Sequence, residues 1–411
     1  MKTPRHAASA APALVVAVQV TTAVLAAALT GVAGAMAFVS LRVARRVVTP
    51  AARQADTVIL GVDTGAQTIT LSRTADTQLP GRYGLFTSGT ESYLKLGSVL
   101  AEDETSVKRK LLTHIDSQTT LSSEAAFSGW YFDSPDQLHV PFTAELIGAS
   151  VGPCPAWFFP AAPDADGDAD SDTWVIQIHG RGTTRAECLR AVPLFRDLGI
   201  HSLLVSYRND GEAPRSRTGT YGLGATEWRD VDAAVAFARR RGAKRIVLMG
   251  WSMGGAIALQ LALSSAHADV IAAVVLESPV VEWRVVLDHQ ARLLKLPHAV
   301  TDMAIGALGA EWATRVTRTG EPIPFDKLDV VARADELRHP ILILHSDDDG
   351  FVPSDASHAL LSARPDLVTM QLFDTARHTK LWNYDQERWT RVIGEWLVNQ
   401  GLARTPAAEE A

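Results

Sequence analysis

The stretch Gly250-Trp251-Ser252-Met253-Gly254-Gly255 decides the reading of this chain. It follows the apolar run Arg245-Ile246-Val247-Leu248-Met249 and precedes Ala256-Ile257-Ala258-Leu259-Gln260-Leu261-Ala262-Leu263, which suits a helix. Strand, sharp G-x-S-x-G turn and helix are the context in which a serine is lifted out of a sheet into a cleft. Glycines are expected at the flanks because strand and helix nearly touch there, and the serine is expected in a strained backbone geometry. The helix N-terminus behind it offers N–H groups and a positive dipole end to a developing oxyanion. By itself the hexapeptide suits a plain glycine-rich turn around a buried serine equally well. The residues on either side of it separate the two readings.

Working outward, the chain from Thr173 alternates strands and helices. Trp174–Ile178 and Ser202–Tyr207 read as strands, with helical runs over Ala186–Leu198 and Thr226–Arg241. After Ser252 come the strands Val270–Leu276, Ile341–Leu344 and Val368–Phe373, then an amphipathic helix over Asp385–Gln400. Apolar strands alternating with helices predict a mostly parallel sheet covered on both faces. Serine is a poor nucleophile without an adjacent base. In such sheets reactive groups gather at the C-terminal strand ends. An acid candidate therefore lies in His345-Ser346-Asp347-Asp348-Asp349-Gly350-Phe351-Val352-Pro353, and a base candidate, His378, in Asp374-Thr375-Ala376-Arg377-His378. The order Ser, Asp, His suits a nucleophile, an orienting acid and a base.

Over about residues 140–400 these motifs resemble the α/β-hydrolase superfamily. The resemblance implies an α/β fold with helices on both faces of the sheet, a small helical cap and no cofactor. It places the acid at Asp349, because His345 and Val352-Pro353 align with the family's H-G-x-x-D-x-x-V-P loop. Ser346 stands where glycine is usual, and Arg377 where Gly-His is frequent. Asp347, Asp348 and, after the strand ending at Leu276, Glu277 remain alternatives for the acid. His179-Gly180-Arg181 resembles the family's oxyanion loop, which assigns the backbone N–H groups of Arg181 and Met253 to an oxyanion hole. The Leu-, Trp- and Met-rich insertion at about 281–339 corresponds to the cap. Trp251, Arg208 and Trp283 are the expected pocket residues. The implied activity is hydrolysis of a carboxylic ester or thioester through an acyl-enzyme. A peptidase of the prolyl oligopeptidase type, an acyltransferase and a non-catalytic binding module on the same fold are the rivals. The first usually carries a propeller, for which residues 57–160 are too few.

The chain has 411 residues, 47% of them hydrophobic, and a net charge of −7. It has no strong basic stripe in its body, which gives nucleic-acid binding little support. Cys154 and Cys188 show no framework spacing, and no His/Cys/Asp/Glu run has a metal-ligand pattern. The run from Ala7 to Leu41 carries no charge, and within it Pro12–Ser40 is long enough to cross a membrane. Lys2 and Arg5 precede it; Arg42, Arg45 and Arg46 follow. Ala35-Met36-Ala37 offers a signal-peptidase site, but three arginines just beyond it argue for an uncleaved anchor. The side of the membrane is left open, because both flanks are basic. Thr57–Val62 and Gln67–Leu71 form a predicted hairpin opening a β-rich region. Alternating aspartates from Asp164 to Asp172 lack the glycine and closing glutamate of a calcium loop and read as a linker. The expected organisation is a tail and anchor over 1–50, a β-rich accessory region over 51–139, the α/β domain over 140–403 and a disordered tail over 404–411. The partners implied are a small-molecule acyl ester or peptide substrate and a membrane; oligomeric state is open.

Overall fold

The computed structural model describes residues 11–51, 53–88, 92–164 and 171–404. Lys2, Arg5, most of the aspartate run and nearly all of the C-terminal tail lie outside the described residues.

The chain enters through one long helix, α1 (Ala11–Val48). From Gln19 to Val48 it is long and apolar enough to cross a membrane. Six short strands follow: β1 (Thr57–Asp63), β2 (Thr68–Ser72), β3 (Tyr83–Thr87), β4 (Tyr93–Glu102), β5 (Ser106–Leu111) and β6 (Glu124–Ser128). They close into an antiparallel barrel in the order β1-β2-β5-β4-β3-β6. Closure removes the free edges that an isolated six-stranded sheet would expose. Alternate residues, among them Ile69, Leu71, Tyr83, Leu85, Leu94, Leu96 and Phe127, fill the interior. Arg109 is also buried in the barrel. Its guanidinium donates to the carbonyls of Thr77, Leu79, Gly81 and Gly97 at 2.7–3.1 Å. Burial lowers its pKa to about 10, so it stays charged at neutral pH while tying chain crossings together.

The second body is an eight-stranded sheet in the order β14-β13-β12-β11-β9-β10-β8-β7. Its strands are β7 (Thr143–Ala149), β8 (Gly152–Phe159), β9 (Thr173–Ile178), β10 (His201–Val205), β11 (Arg245–Trp251), β12 (Ile271–Glu277), β13 (Ile341–Ser346) and β14 (Val368–Phe373). From β9 to β14 neighbours run parallel, whereas β7 and β8 form an antiparallel hairpin on the edge. The period-two alternation splits each strand between two cores. Trp174, Ile176 and Ile178 enter one, with Ile246 and Leu248; Val175 enters the other, with Val247, Met249 and Trp251. Helices cover both faces: α2 (Val192–Asp197), α3 (Trp228–Arg240), α4 (Met253–Ser264), α9 (Asp355–Ala363), α10 (Leu381–Tyr384) and α11 (Gln386–Asn399). Between β12 and β13 the cap comprises α5 (Trp283–Leu293), α6 (His298–Gly309) and the short α7 (Thr314–Thr317) and α8 (Phe325–Leu328).

The last turns of α1 belong to the second body. Ala44 and Val48 are fully buried in its main core. Arg45 Nε donates to the Val316 carbonyl at 2.8 Å, and the Tyr221 N–H donates to the Val48 carbonyl at 2.8 Å. The helix therefore runs on past the apolar run through Arg42, Arg45 and Arg46 and docks against the cap.

Candidate active site

β11 ends at Trp251 and α4 begins at Met253, so Ser252 makes the turn alone. Its φ of 53° and ψ of −117° lie where a residue with a Cβ is strained, at a cost of roughly 1–3 kcal/mol. A Cβ on Gly250 would strike the Gly254 carbonyl oxygen, and one on Gly254 would strike the Ile178 carbonyl oxygen. The glycines are thus required by the close crossing of β11, β9 and α4.

His378 stands after β14, between Arg377 and Thr379, both at positive φ (62° and 49°). Its Nε2 lies 3.0 Å from Ser252 Oγ and its Nδ1 2.7 Å from Asp349 Oδ2. Asp349 follows β13 and is buried. Its Oδ1 accepts the N–H groups of Phe351 and Val352 at 2.9 and 2.8 Å. Burial alone would raise its pKa; the adjacent His378 and His345 outweigh that and hold it far below the usual carboxylate range. His345 is buried behind it, held by Ser357 Oγ at 2.9 Å and the Val352 carbonyl at 3.0 Å. Asp347 accepts from Ser354, and Asp348 pairs with Arg377.

Glu277 occupies a different environment. Its Oε2 accepts both the Trp251 and the Trp389 indole N–H at 2.9 Å, and Arg190 stands 3.7 Å from Oε1. Arg190 also donates to the carbonyls of Gly129 and Thr379 at 3.1 and 2.8 Å. One buried cation thus ties the end of the barrel, the His378 loop and Glu277 together. On the barrel side, Asp76 is ion-paired with Arg377 and Lys380, each at 3.4 Å. The sequence reading did not find this arrangement, although Glu187 and Arg190, three apart on one helical face, hint at a paired buried charge.

The 179–181 loop is fixed from several directions. His179 stacks on Tyr207 at 4.3 Å and bonds Asp210 at 3.1 Å. Tyr207 Oη donates to the His179 and Gly180 carbonyls, and Glu187 accepts the Gly180 N–H at 2.8 Å. A Cβ on Gly180 would come within 3.3 Å of Ser252 Cβ, so this loop passes directly beside the serine. The Arg181 side chain reaches the other way and donates to the Arg46 and Thr49 carbonyls at 2.7 and 2.9 Å, capping α1.

A cavity of about 860 Å³ opens over Ser252. Trp283, Val286, Leu287 and Leu294 of the cap segment form one wall, with Phe351 beside them; Val39, Val43 and Val47 of α1 contribute the other. Two expected pocket residues lie elsewhere. Trp251 is fully buried, because strand alternation sends it with Val247 and Met249 into the core, where Glu277 takes its N–H. Arg208 forms a two-pronged pair with Asp230 at 2.6 and 2.7 Å and lines a separate surface cleft.

Against this geometry, a model of the alpha/beta hydrolase family matches residues 175–392. The chain belongs to that family. A domain of unknown function matches residues 58–128, the barrel. The hydrolase is similar to the uncharacterized protein YqkD of Bacillus subtilis (strain 168), 23% identical over 238 residues, which are 56% of this chain and 72% of that protein. Among solved structures, an esterase of Pyrococcus furiosus is 19% identical with a TM-score of 0.50, covering 65% of this chain and 94% of its own. A puromycin-hydrolyzing peptidase of Mycobacterium tuberculosis is 18% identical with a TM-score of 0.48, covering 81% of this chain and 46% of its own. At 19% identity the likeness to the esterase structure is one of fold.

Proposed function

We propose that this alpha/beta hydrolase cleaves carboxylic esters through an acyl-enzyme on Ser252. The observation that carries the reading is the hydrogen-bonded series from Ser252 through His378 to buried Asp349. Ser252 Oγ attacks the ester carbonyl while His378 Nε2 takes its proton. The carbonyl oxygen, now carrying the negative charge, is received by the N–H groups of Met253 and Arg181. When the tetrahedral adduct collapses, the carbonyl–oxygen bond of the ester breaks and His378 returns the proton to the departing alkoxide. Water then attacks the acyl-enzyme, giving its proton to His378, and a carboxylic acid leaves as Ser252 is restored. Asp349, fixed by two backbone N–H groups and the His378 Nδ1–H, keeps the imidazole in the tautomer that presents Nε2 as acceptor.

A fluorophosphonate probe should label the protein at Ser252, located by peptide mass spectrometry. The same preparation should turn over p-nitrophenyl esters faster than acyl-CoA or peptide substrates. Labelling with a preference for peptides would place the chain with the peptidases. No labelling, and no turnover of any of the three, would point to a binding module.

We also propose that α1 holds the protein on a membrane. Its apolar length supports this, as do Val20, Leu25, Leu29, Val32 and Phe38, whose side chains are all exposed. The protein should sediment with membranes and resist carbonate extraction. A soluble form whose mature N-terminus lies near Phe38 would show a removed signal instead.

A further inference from the structure

One helix joins the expected membrane span to the wall of the candidate active site. The twenty residues from Gln19 to Phe38 rise about 30 Å, the thickness of a bilayer core. Immediately beyond them, without a break in α1, Val39, Val43 and Val47 face the cavity at helical spacing, and Arg42, Arg45 and Arg46 line it with them. The cavity mouth therefore lies at the depth where the lipid headgroups of a bilayer crossed by α1 would sit. Arginine is suited to that depth, with its stem against apolar surface and its charge in the polar layer.

The same rim is cationic in a chain that is net negative. Arg53 and Arg181 join the three arginines of α1. Their partners in the structure are carbonyls and rings. Arg45 bonds the Val316 carbonyl, and Arg181 bonds the carbonyls of Arg46 and Thr49. Arg53 lies over Phe86 and Trp130, and Arg42 stands beside Phe38. Among the described residues no carboxylate lies within ion-pair distance of any of the five, whereas Arg185 and Arg208 are paired with Glu212 and Asp230. Unneutralised guanidinium groups around an otherwise apolar cavity match a ligand with a hydrocarbon body and an anionic end. Leu293 and Leu294, exposed on the cap, extend the apolar rim opposite α1.

We propose that the substrate is a membrane-resident acyl ester with an anionic phosphate headgroup, taken from the bilayer surface. Its acyl chain lies between α1 and α5, its ester carbonyl reaches Ser252, and its phosphate rests on Arg42 and Arg46. This rests on the reading of Ser252 as the nucleophile. Water is consumed, and the products are a fatty acid and the phosphorylated alcohol.

The test uses the full chain in nanodiscs of dialkyl-ether phosphatidylcholine, which holds no carboxylic ester of its own. Palmitoyl lysophosphatidylglycerol and monopalmitoylglycerol are compared through palmitate release, with Ser252→Ala as the blank. The anionic ester should be preferred in kcat/KM by about tenfold, and the preference should shrink at high salt. An Arg42→Gln/Arg46→Gln double variant, shown to be folded by an unchanged melting temperature, should bring the ratio close to one. A wild-type ratio near one, or a ratio unmoved in the folded double variant, would overturn the proposal. If p-nitrophenyl butyrate is hydrolysed and neither lipid is, the nucleophile stands and the lipid assignment falls. If nothing is hydrolysed and no fluorophosphonate adduct forms, the reading of Ser252 fails first and the assignment goes with it. Fluorescence binding of a dansyl-labelled lysophosphatidylglycerol to Ser252→Ala separates recognition from chemistry: binding weakened at least tenfold by the double substitution supports the arginine contact, and unchanged binding refutes it.

Discussion

Ser252→Ala should lower kcat on ester substrates by on the order of 10⁶ and leave the fold intact. The substitution removes one oxygen from a residue whose neighbours are fixed by other contacts. His378 keeps its bond to Asp349, and Gly180 keeps its bond to Glu187. The residual rate over water would come from the oxyanion donors and substrate positioning. Alanine also has a Cβ, so the strained φ of 53° persists and the variant should melt close to the parent. The measurement is burst and steady-state turnover with p-nitrophenyl esters on protein free of host esterases. Turnover within a few-fold of the parent would end the assignment.

Asp349→Asn should lower kcat by about 10⁴ by favouring the wrong imidazole tautomer. An asparagine NH₂ facing Nδ1 would draw the imidazole proton to Nε2, where it can no longer accept from Ser252. Glu277→Gln should act differently. The Trp251 and Trp389 N–H groups can still find an oxygen acceptor, but Arg190 loses the nearer of its two carboxylates in a dry interior and keeps only Glu187, 4.0 Å away. Its expected effect is a stability loss of about 3 kcal/mol, read by chemical denaturation, with turnover reduced far less than in Asp349→Asn. The reverse pattern would move the acid from β13 to β12. Asp347→Asn and Asp348→Asn, whose side chains engage Ser354 and Arg377, should cost little by comparison.

The α/β fold was legible because its buried strands are near-continuous apolar runs and its turn residues have a narrow physical meaning. Gly250 and Gly254 could be read as close-approach positions before the crossing of β9 and β11 was known. The hairpin β7–β8 was not read as part of the sheet. Pro153 and Pro155 interrupt its second strand, and proline in a strand signals an edge or no strand at all. Closure of residues 57–128 into a barrel was equally out of reach. Alternation identifies strands, but the pairing of β1 with β6 spans more than sixty residues and leaves no local mark. For the candidate site, order and strand-end position brought Ser252, His378 and the 345–353 loop forward, and the family resemblance selected Asp349 within that loop. The pocket was read less well: Trp251 was expected in it, and strand parity turns that side chain into the core. The contribution of α1 was hidden because a charge-free run looks the same whether it ends at a membrane surface or continues into a protein core. Arg42, Arg45 and Arg46, three and four apart, were the available sign that the helix carries on.

The capping of α1 by Arg181 has a practical bearing on how this protein can be handled. Removing an N-terminal hydrophobic segment is the usual route to a soluble preparation, and here the position of the cut decides what is left. A chain shortened to start after Val48 would lose Ala44 and Val48 from the main core, and Val48 burial alone is worth about 1.5 kcal/mol or more. It would also release the Arg181 guanidinium, which ties α1 to the loop beside Ser252. Loss of activity in such a preparation would report a loosened loop. A cut near Phe38 retains every one of these contacts, and is the shortened form in which catalysis and lipid delivery can be measured separately.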